Sequence, residues 1–243
     1  MGWPDLDDVR AMTAERLRRI MDGKYPRMGL VAGFGDVFTR TWALLGFRNF
    51  CIALRGDRKL VRAVYEKIAR ISIYECKVLV EASVDAVWPS DDIAFRSGPM
   101  LSPRDLRGFF FSWLHEVGWL AKRHGLLIIY HSDGDLRPVM EDMLNCHVDA
   151  LHPIEPKAMD INELKERYGD RLALIGNIDL GYTLTRGTMR DVVILVRRGV
   201  RDIALGGGYA VGSSNAILGY VEFENYMAMV RVAKEYGRYP LRC

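Results

Sequence analysis

The clearest signal of the fold is the segment Leu126-Leu127-Ile128-Ile129-Tyr130-His131-Ser132-Asp133-Gly134. Its first five residues form an apolar run with no polar alternation, which is typical of a strand covered on both faces, as in a parallel sheet. The run ends abruptly in His131 and Asp133, which are polar. Upstream, Ser102 followed by Pro103 provides the cap and first turn of a helix that leads into this strand.

The same alternation of helix and apolar strand recurs along the 243 residues of the chain. Strands are predicted at 29–34, 84–88, 126–130, 148–152, 172–176 and 202–205. Helix starts are predicted at Asp5, Asp57, Ser102, Asp160 and Thr188, and a last helix at 222–236. Strands and helices that alternate with short connections form parallel βαβ units. The pattern therefore predicts an α/β fold, a single domain over residues 1–243, and favours a (β/α)8 TIM-type barrel over an open doubly wound sheet.

Composition excludes several classes of protein and of partner. Hydrophobic residues make up 49% and charged residues 27%, as in ordinary globular proteins. A net charge of +3 gives no reason to expect nucleic acid or an anionic membrane as a partner. No apolar run reaches the roughly 20 residues of a membrane span, and the acidic N-terminus is unlike a signal peptide. Four cysteines without CxxC spacing predict reduced thiols in a cytoplasmic protein: Cys51, Cys76, Cys146 and Cys243.

Polar residues or glycines follow every predicted strand from the second onward. They are Asp91 and Asp92, His131 and Asp133, Glu155, Asn177 and Asp179, and Gly207, Gly208 and Tyr209. The carboxyl ends of barrel strands converge on one face, where barrel enzymes keep their active sites. We therefore predict an acidic, imidazole-containing mouth without arginine. Catalytic roles are expected for His131, Asp133, Asp92 and Asp179, and substrate binding for Asp91, Glu155, Asn177, Gly207, Gly208 and Tyr209.

His131 and Asp133 are the sharpest candidates for chemistry. Residues two apart on a strand face the same side, so an imidazole and a carboxylate share one space. They suit either a proton-transfer couple or two ligands of a metal, and Glu155, at the end of the next strand, would be the third ligand. Asp91 and Asp92 could polarise a substrate, ligate a metal or solvate a loop. Motifs of dinucleotide, P-loop and serine-elbow sites are absent.

Nine segments occur in the order found in one known superfamily. They are 91–92 (DD), 98–103 (GPMLSP), 131–134 (HSDG), 153–156 (PIEP), 176–179 (GNID), 206–209 (GGGY), 213–215 (SSN), 224–225 (EN) and 236–240 (YGRYP). On these motifs the chain resembles the uroporphyrinogen decarboxylase superfamily over roughly residues 28–240. The resemblance implies an enzyme with a (β/α)8 barrel.

The resemblance also implies a choice of chemistry. The superfamily includes methyltransferases that move methyl groups between small methylated compounds, corrinoid proteins and thiols. Some bind zinc through a His-x-Cys pair and a later Cys, positions that match Asp133 and Gly207 here. We therefore expect methyl transfer from a small methylated compound to a corrinoid protein or a thiol. Zinc or another divalent metal would be held by oxygen-rich ligands, and the corrinoid would be carried by a partner protein.

Two alternatives stay open. One is the haem-pathway decarboxylase of the superfamily, although the arginine-rich segment that its polycarboxylate substrate requires is not recognisable near the N-terminus. The other is an inactive, truncated paralogue that acts as a binding module. Compared with the family, the barrel is expected to be truncated or irregular on its N-terminal side. An unpaired strand edge would result, and because proteins usually cover such edges, a homodimer is expected.

Overall fold

The computed structural model describes residues 3–21, 29–82 and 84–241. These residues form two compact units. The first contains the described residues up to Ile93, together with Met100–His131 and Val139–Val148, and the second contains Ala94–Pro99, Ser132–Pro138 and the described residues from Asp149 onward. The prediction of a single domain stays a prediction.

Helices and strands alternate along most of the chain. The strands are β1 (Val31–Gly35), β2 (Ala86–Ser90), β3 (Ala94–Phe95), β4 (Gly98–Pro99), β5 (Leu127–His131), β6 (Ala150–Ile154), β7 (Ala173–Ile178) and β8 (Tyr209–Ser213). The α-helices are α1 (Leu6–Met21), α2 (Val37–Leu45), α3 (Phe47–Gly56), α4 (Arg58–Glu81), α5 (Pro103–Arg123), α6 (Met140–Asn145), α7 (Ile161–Tyr168), α8 (Met189–Asp202) and α9 (Phe223–Tyr236). A π-helical turn covers Leu180–Leu184.

In the first unit, β1, β2 and β5 are parallel. Val31 pairs with Ala86, and Ser90 at the end of β2 pairs with His131 at the end of β5. Helix α4 packs against α1, α2 and α5. Phe110 on α5 and Tyr130 on β5 are both fully buried, with ring centroids 6.1 Å apart. The carboxyl ends of β2 and β5 therefore lie side by side above a packed core.

In the second unit, β6, β7 and β8 are parallel, and β3 pairs with β4 as a short antiparallel hairpin. Leu174 on β7 pairs with Leu151 and Tyr209. Helices α8 and α9 pack on one another around a buried cluster that includes Val192, Val196 and Val232. Each unit thus combines parallel strands with helices, which confirms the predicted α/β class.

The predicted helix starts are confirmed where a local cap forms. The Asp57 carboxylate accepts a hydrogen bond from the Leu60 backbone N–H, and Ser102 caps α5 through the N–H of Asp105. Thr188 forms a reciprocal capping box with the residue three positions on. These bonds stabilise the first turn of each helix by about 1 kcal/mol.

The sixth predicted strand, 202–205, was wrong. Helix α8 continues to Asp202, and β8 begins only at Tyr209. All three residues of the glycine triplet 206–208 have positive φ, so they form the turn that leads into the strand. Gly207, Gly208 and Tyr209 therefore lie at the amino end of β8, not at its carboxyl end. The Tyr209 hydroxyl donates to the Gly176 carbonyl at 3.3 Å, and burial raises its pKa to about 12.

Two further expectations concern thiols and membranes. Cys51 is exposed, Cys76 and Cys146 are buried, and all three are free thiols. Burial raises the pKa of both buried thiols to about 12, which makes them unreactive. Cys243 lies outside the described residues. Among the described helices, none is long and apolar enough to cross a bilayer.

Substitutions at two glycines of α5 would test how tightly the first unit is packed. A Cβ at Gly118 would lie well inside van der Waals contact with the Cys146 carbonyl oxygen, whereas a Cβ at Gly108 would meet nothing. Both substitutions gain the same helix propensity, so they differ only in packing. We expect Gly108→Ala to raise the free energy of unfolding by about 0.5–1 kcal/mol and Gly118→Ala to lower it by about 1–3 kcal/mol. Urea unfolding followed by circular dichroism measures both, and equal shifts would contradict the packing.

Candidate active site

The carboxyl ends of β2 and β5 bring together the candidate residues of the first unit. Asp91 and Asp92 follow β2, and His131 is the last residue of β5. The Asp91 backbone N–H donates to the His131 carbonyl oxygen at 2.9 Å. The backbone at these two strand ends is therefore fixed independently of the side chains.

Asp92 and His131 are the two candidate residues whose side chains are best placed to do chemistry together. The distance from Nε2 of His131 to Oδ1 of Asp92 is 3.9 Å, with side-chain exposures of 22% and 47%. The Trp88 ring lies near the imidazole, with the two ring centroids 6.4 Å apart. Imidazole and carboxylate groups are common proton donors and acceptors in enzymes. The pair therefore places two such groups together at a partly exposed position.

Asp91 has a different role from the one predicted. It is 1% exposed, and its carboxylate accepts hydrogen bonds from the backbone N–H groups of Phe38 and, at 2.9 Å, Thr39. Both donors lie in the first turn of α2, whose own N-cap residue, Asp36, makes no side-chain cap. The expectation that Asp91 faces a substrate is corrected, because this carboxylate caps a helix inside the protein.

The burial of Asp91 also changes its protonation. Desolvation raises the pKa of the Asp91 carboxyl to about 7, although the hydrogen bonds from Phe38 and Thr39 act in the opposite direction. The carbonyl oxygen of Asp91 also accepts a hydrogen bond from the Tyr130 hydroxyl at 2.8 Å. One residue thus connects α2, β2 and β5.

In the second unit, Asp133 lies on a segment anchored at two points. The Ser132 N–H donates to the His152 carbonyl at 3.0 Å, and the Asp135 N–H donates to the Phe95 carbonyl at 2.9 Å. Gly134 between them has φ of 89°, and a Cβ there would lie 2.7 Å from the Phe95 carbonyl oxygen. Only glycine fits this approach, so Gly134 allows the segment that carries Asp133 to lie against the Phe95 backbone.

Sequence reasoning missed the partner of Asp133. Nδ2 of Asn215, two residues beyond β8, donates to Oδ2 of Asp133 at 2.7 Å. Asn215 belongs to the SSN motif at 213–215. A strand placed at 209–213 would have put this motif at a carboxyl strand end and so indicated a site residue.

Glu155 is corrected as a metal ligand. Its carboxylate, 17% exposed, pairs with Nε of Arg96 at 2.7 Å. Arg96 lies directly after β3 and is 63% exposed. The expectation of a mouth without arginine is therefore also wrong, since this guanidinium stands next to a predicted substrate-binding residue.

Asn177 and Asp179 lie at the end of β7, as predicted, but their side chains point to different partners. Asn177 adopts φ of 75° and donates from Nδ2 to the Ile154 carbonyl at 3.1 Å. Asp179 accepts from the Gly181 N–H at 3.0 Å, and Lys157 Nζ lies 3.7 Å from its other oxygen. The first therefore joins β7 to β6, and the second caps the π-helical turn.

In the first unit, Asp92 and His131 could supply a carboxylate oxygen and an imidazole nitrogen to a metal ion. In the second unit, Asp133 could supply a carboxylate oxygen. The free cysteines of the described residues lie elsewhere, on α3, on α4 and after α6. Nitrogen and oxygen donors suit a divalent cation that accepts such ligands, and they do not reproduce a thiolate site.

Comparison with known proteins identifies relatives over most of the chain. The family model for "Uroporphyrinogen decarboxylase (URO-D)" matches residues 4–236. The methylcobamide:CoM methyltransferase MtaA of Methanosarcina barkeri is 25% identical over 223 residues, which cover 91% of this chain and 62% of the relative. A uroporphyrinogen decarboxylase of Chlorobium chlorochromatii is 22% identical over 243 residues, with coverage of 96% and 67%. The chain thus spans about 62% of the methyltransferase's length.

A solved structure of another protein has a fold similar to that of this chain. A methyltransferase from Methanosarcina mazei superposes with a TM-score of 0.74 at 24% identity, covering 93% of this chain and 64% of that one. This likeness confirms the predicted fold, an irregular α/β structure of the TIM-barrel type.

The buried carboxyl of Asp91 predicts a pH dependence of stability. Between its ordinary value of 3.8 and about 7, the folded protein holds a proton here that the unfolded chain has released. The contribution of Asp91 to the free energy of unfolding therefore falls as pH rises through this window, by at most about 4 kcal/mol, and is constant above it.

Substitution isolates this contribution. We expect Asp91→Asn to flatten the decline in unfolding free energy between pH 4 and pH 7, measured by urea unfolding at about half-unit steps of pH. Asp92→Asn, at the exposed neighbour, should keep the wild-type slope. An unchanged slope in Asp91→Asn would show that another group titrates.

Proposed function

Because this chain belongs to the uroporphyrinogen decarboxylase family, we propose that it is a methyltransferase acting on a small methylated compound. The observation that carries the proposal is the pair of His131 and Asp92, 3.9 Å apart at adjacent strand ends. Its chemistry suits protonation of a leaving atom. Two relatives support the reaction class, since MtaA and the Methanosarcina mazei protein are both named methyltransferases.

The reaction requires an acid at the atom that loses the methyl group. In methyl transfer, the acceptor supplies an electron pair to the methyl carbon, and the bond from that carbon to oxygen or nitrogen breaks. The leaving atom keeps the electrons of the broken bond and takes a proton. His131 is assigned as the donor of that proton, with the Asp92 carboxylate beside it. Solvent returns the proton afterwards.

A divalent cation is the alternative to this proton donor. Asp92 and His131, both in the first unit, would then be ligands of zinc or a harder divalent metal, which when bound would supply a Lewis acid for the leaving atom. The residues fit such an ion by their imidazole and carboxylate donors. Binding of Co²⁺ to the purified protein tests this assignment.

The acceptor is proposed from the relatives' printed activity. MtaA is named for methylcobamide and coenzyme M, a corrinoid and a thiol. By analogy, this chain would deliver its methyl group to a corrinoid carried by a partner protein, or to a thiol. The carboxylate of Asp92 leaves the pair with His131 without strong attraction for a polyanionic substrate.

One observation favours the decarboxylase as the second candidate function. Arg96 is 63% exposed beside Glu155, and a guanidinium is the usual partner of a substrate carboxylate. Its ion pair with Glu155 at 2.7 Å reduces that capacity, so we rank decarboxylation second. An inactive binding module is the third interpretation.

Turnover assays separate these candidates. The protein is incubated with methyl ethers or methylamines and cob(I)alamin, and formation of methylcobalamin is followed by absorbance. In a parallel reaction, methylcobalamin is supplied with coenzyme M. We expect His131→Ala to reduce methyl transfer about 10²–10⁴-fold while the circular dichroism spectrum is unchanged. His124→Ala, at the exposed end of α5, is the matched control.

Three other results would count against this proposal. Conversion of uroporphyrinogen to coproporphyrinogen, without methyl transfer, would reverse the ranking of the two enzymes. Absence of both reactions would favour the binding module. A wild-type rate in His131→Ala would remove this residue as the proton donor.

We also propose that the protein is a homodimer. Strand β1 pairs with β2 on one side, and Val31 on β1 is 44% exposed. An apolar groove of about 750 Å³ runs beside this strand, lined by Leu30, Phe34 and Leu79 among others. An exposed strand edge with an apolar groove is a surface that a second chain would cover.

Light scattering tests the dimer. We expect twice the chain mass at micromolar concentration, and the mass of one chain for Val31→Lys, because a charge on the edge opposes strand pairing. Leu127→Lys, an exposed residue of β5, is the control. A wild-type protein that is monomeric at these concentrations would contradict the proposal.

A further inference from the structure

Two imidazoles lie next to one another on the surface of the first unit. His115 is in the middle of α5, and His147 is the second residue after α6. Their ring centroids are 5.6 Å apart, and the two ring planes are inclined by 43°. Both residues are exposed. Because imidazole nitrogens are common ligands of transition metals in proteins, two of them at this separation can act together on one ion.

The packing of α5 against the residues that follow α6 brings the two rings together. Gly118 lies three positions after His115 on α5, and a Cβ built there would lie 3.4 Å from Cβ of His147 and closer still to the Cys146 carbonyl. The Cys146 thiol also donates to the Phe111 carbonyl oxygen, at 3.6 Å. His147 therefore approaches α5 within one turn of His115, because no side chain at position 118 separates the two backbones.

Interactions within the first unit hold α6 and the residues after it against α5. The guanidinium of Arg107 on α5 donates two hydrogen bonds to the Asp142 carboxylate on α6, at 2.7 and 2.8 Å. His147 has φ of 64°, and its backbone N–H donates to the Leu144 carbonyl oxygen at 3.0 Å. An ion would therefore meet two ligands whose backbones are already in place, which favours binding.

The distance between the rings fits a shared ion. Zinc lies about 2 Å from an imidazole nitrogen, so two imidazoles on one tetrahedral ion have ring centroids about 5 Å apart. The observed separation of 5.6 Å is close to this value. Small rotations of these exposed side chains bring one nitrogen of each ring to the same ion, and water completes the coordination.

We propose that His115 and His147 form a surface site for a divalent transition-metal ion. Two imidazole donors suit Zn²⁺, Ni²⁺ and Cu²⁺, of which Cu²⁺ generally binds most tightly. Binding of the second imidazole is intramolecular, which raises the affinity about 10²–10⁴-fold over that of one imidazole. A bound ion would link α5 to the end of α6 and stabilise the folded first unit.

Titration with Ni²⁺ tests the site in the His131→Ala protein, which lacks the other imidazole proposed as a metal ligand. Calorimetry at neutral pH compares this protein with His115→Gln, His147→Asn and both substitutions together, each made in it. Asparagine is used at position 147 because it tolerates positive φ. We expect each single substitution to weaken Ni²⁺ binding about 10²–10⁴-fold, and the second to add little, because one imidazole alone no longer chelates.

Two further measurements report on the ligands themselves. The electron paramagnetic resonance spectrum of bound Cu²⁺ should show two imidazole nitrogens in the His131→Ala protein and one in each single variant. Ni²⁺ should raise the thermal unfolding midpoint of the His131→Ala protein and leave that of the variants unchanged. His124→Gln, at the exposed end of α5, is the matched control and should keep both signals. Urea midpoints without metal show whether each variant is folded.

Three results would overturn the proposal. One is an unchanged Ni²⁺ affinity in either folded single variant. Another is additive losses in the double variant, because each imidazole would then bind an ion of its own. The third is the absence of Ni²⁺ binding to the His131→Ala protein. None of them bears on methyl transfer, which the turnover assays decide. If His147→Asn does not fold, His147→Gly replaces it with the same expectation, since glycine adopts positive φ freely.

Discussion

The buried carboxylate of Asp91 is the constraint on which the first unit depends. A desolvated charge costs several kcal/mol unless hydrogen bonds replace the lost water. Here the replacement is the first turn of α2, through the N–H groups of Phe38 and Thr39. The same residue bonds to β5 through its backbone. With Asp91 turned inward, the next residue, Asp92, lies beside His131 at a strand end. The buried, structural carboxyl of Asp91 therefore fixes the position of the candidate site residue that follows it, Asp92.

In the second unit, hydrogen bonds within the fold likewise hold a candidate site residue in place. Asp133 belongs to a segment whose backbone is bonded to His152 and Phe95, and its carboxylate is held by Asn215. In both units a functional group is placed by neighbours whose hydrogen bonds are internal to the fold. Sites organised in this way lose little entropy when a substrate or an ion binds, which is why rigid support favours activity.

The residues of the candidate site bear on which of the family's reactions is proposed. Family membership is compatible with decarboxylation and with methyl transfer, so only the site can separate them. In the first unit, Asp92 and His131 offer a carboxylate and an imidazole. In the second unit, the guanidinium of Arg96 is paired with Glu155. Carboxylate and imidazole groups suit a proton or a hard cation, in contrast to thiolates, which prefer softer metals. This composition supports the proposed activation of a leaving atom.

Local sequence signals predicted the α/β class, the five capped helix starts and the strand that leads into His131, but not α2, α3 or α6. These signals are local, because a cap such as Thr188 acts within one turn and an apolar run predicts its own strand. Tertiary structure decided the rest. Three features depend on strand register and on where β8 begins. Asp91 rather than Asp92 turns inward, Glu155 pairs with Arg96 59 positions away, and Asn215 bonds to Asp133. Contacts between distant residues are set by packing, and no local pattern records them.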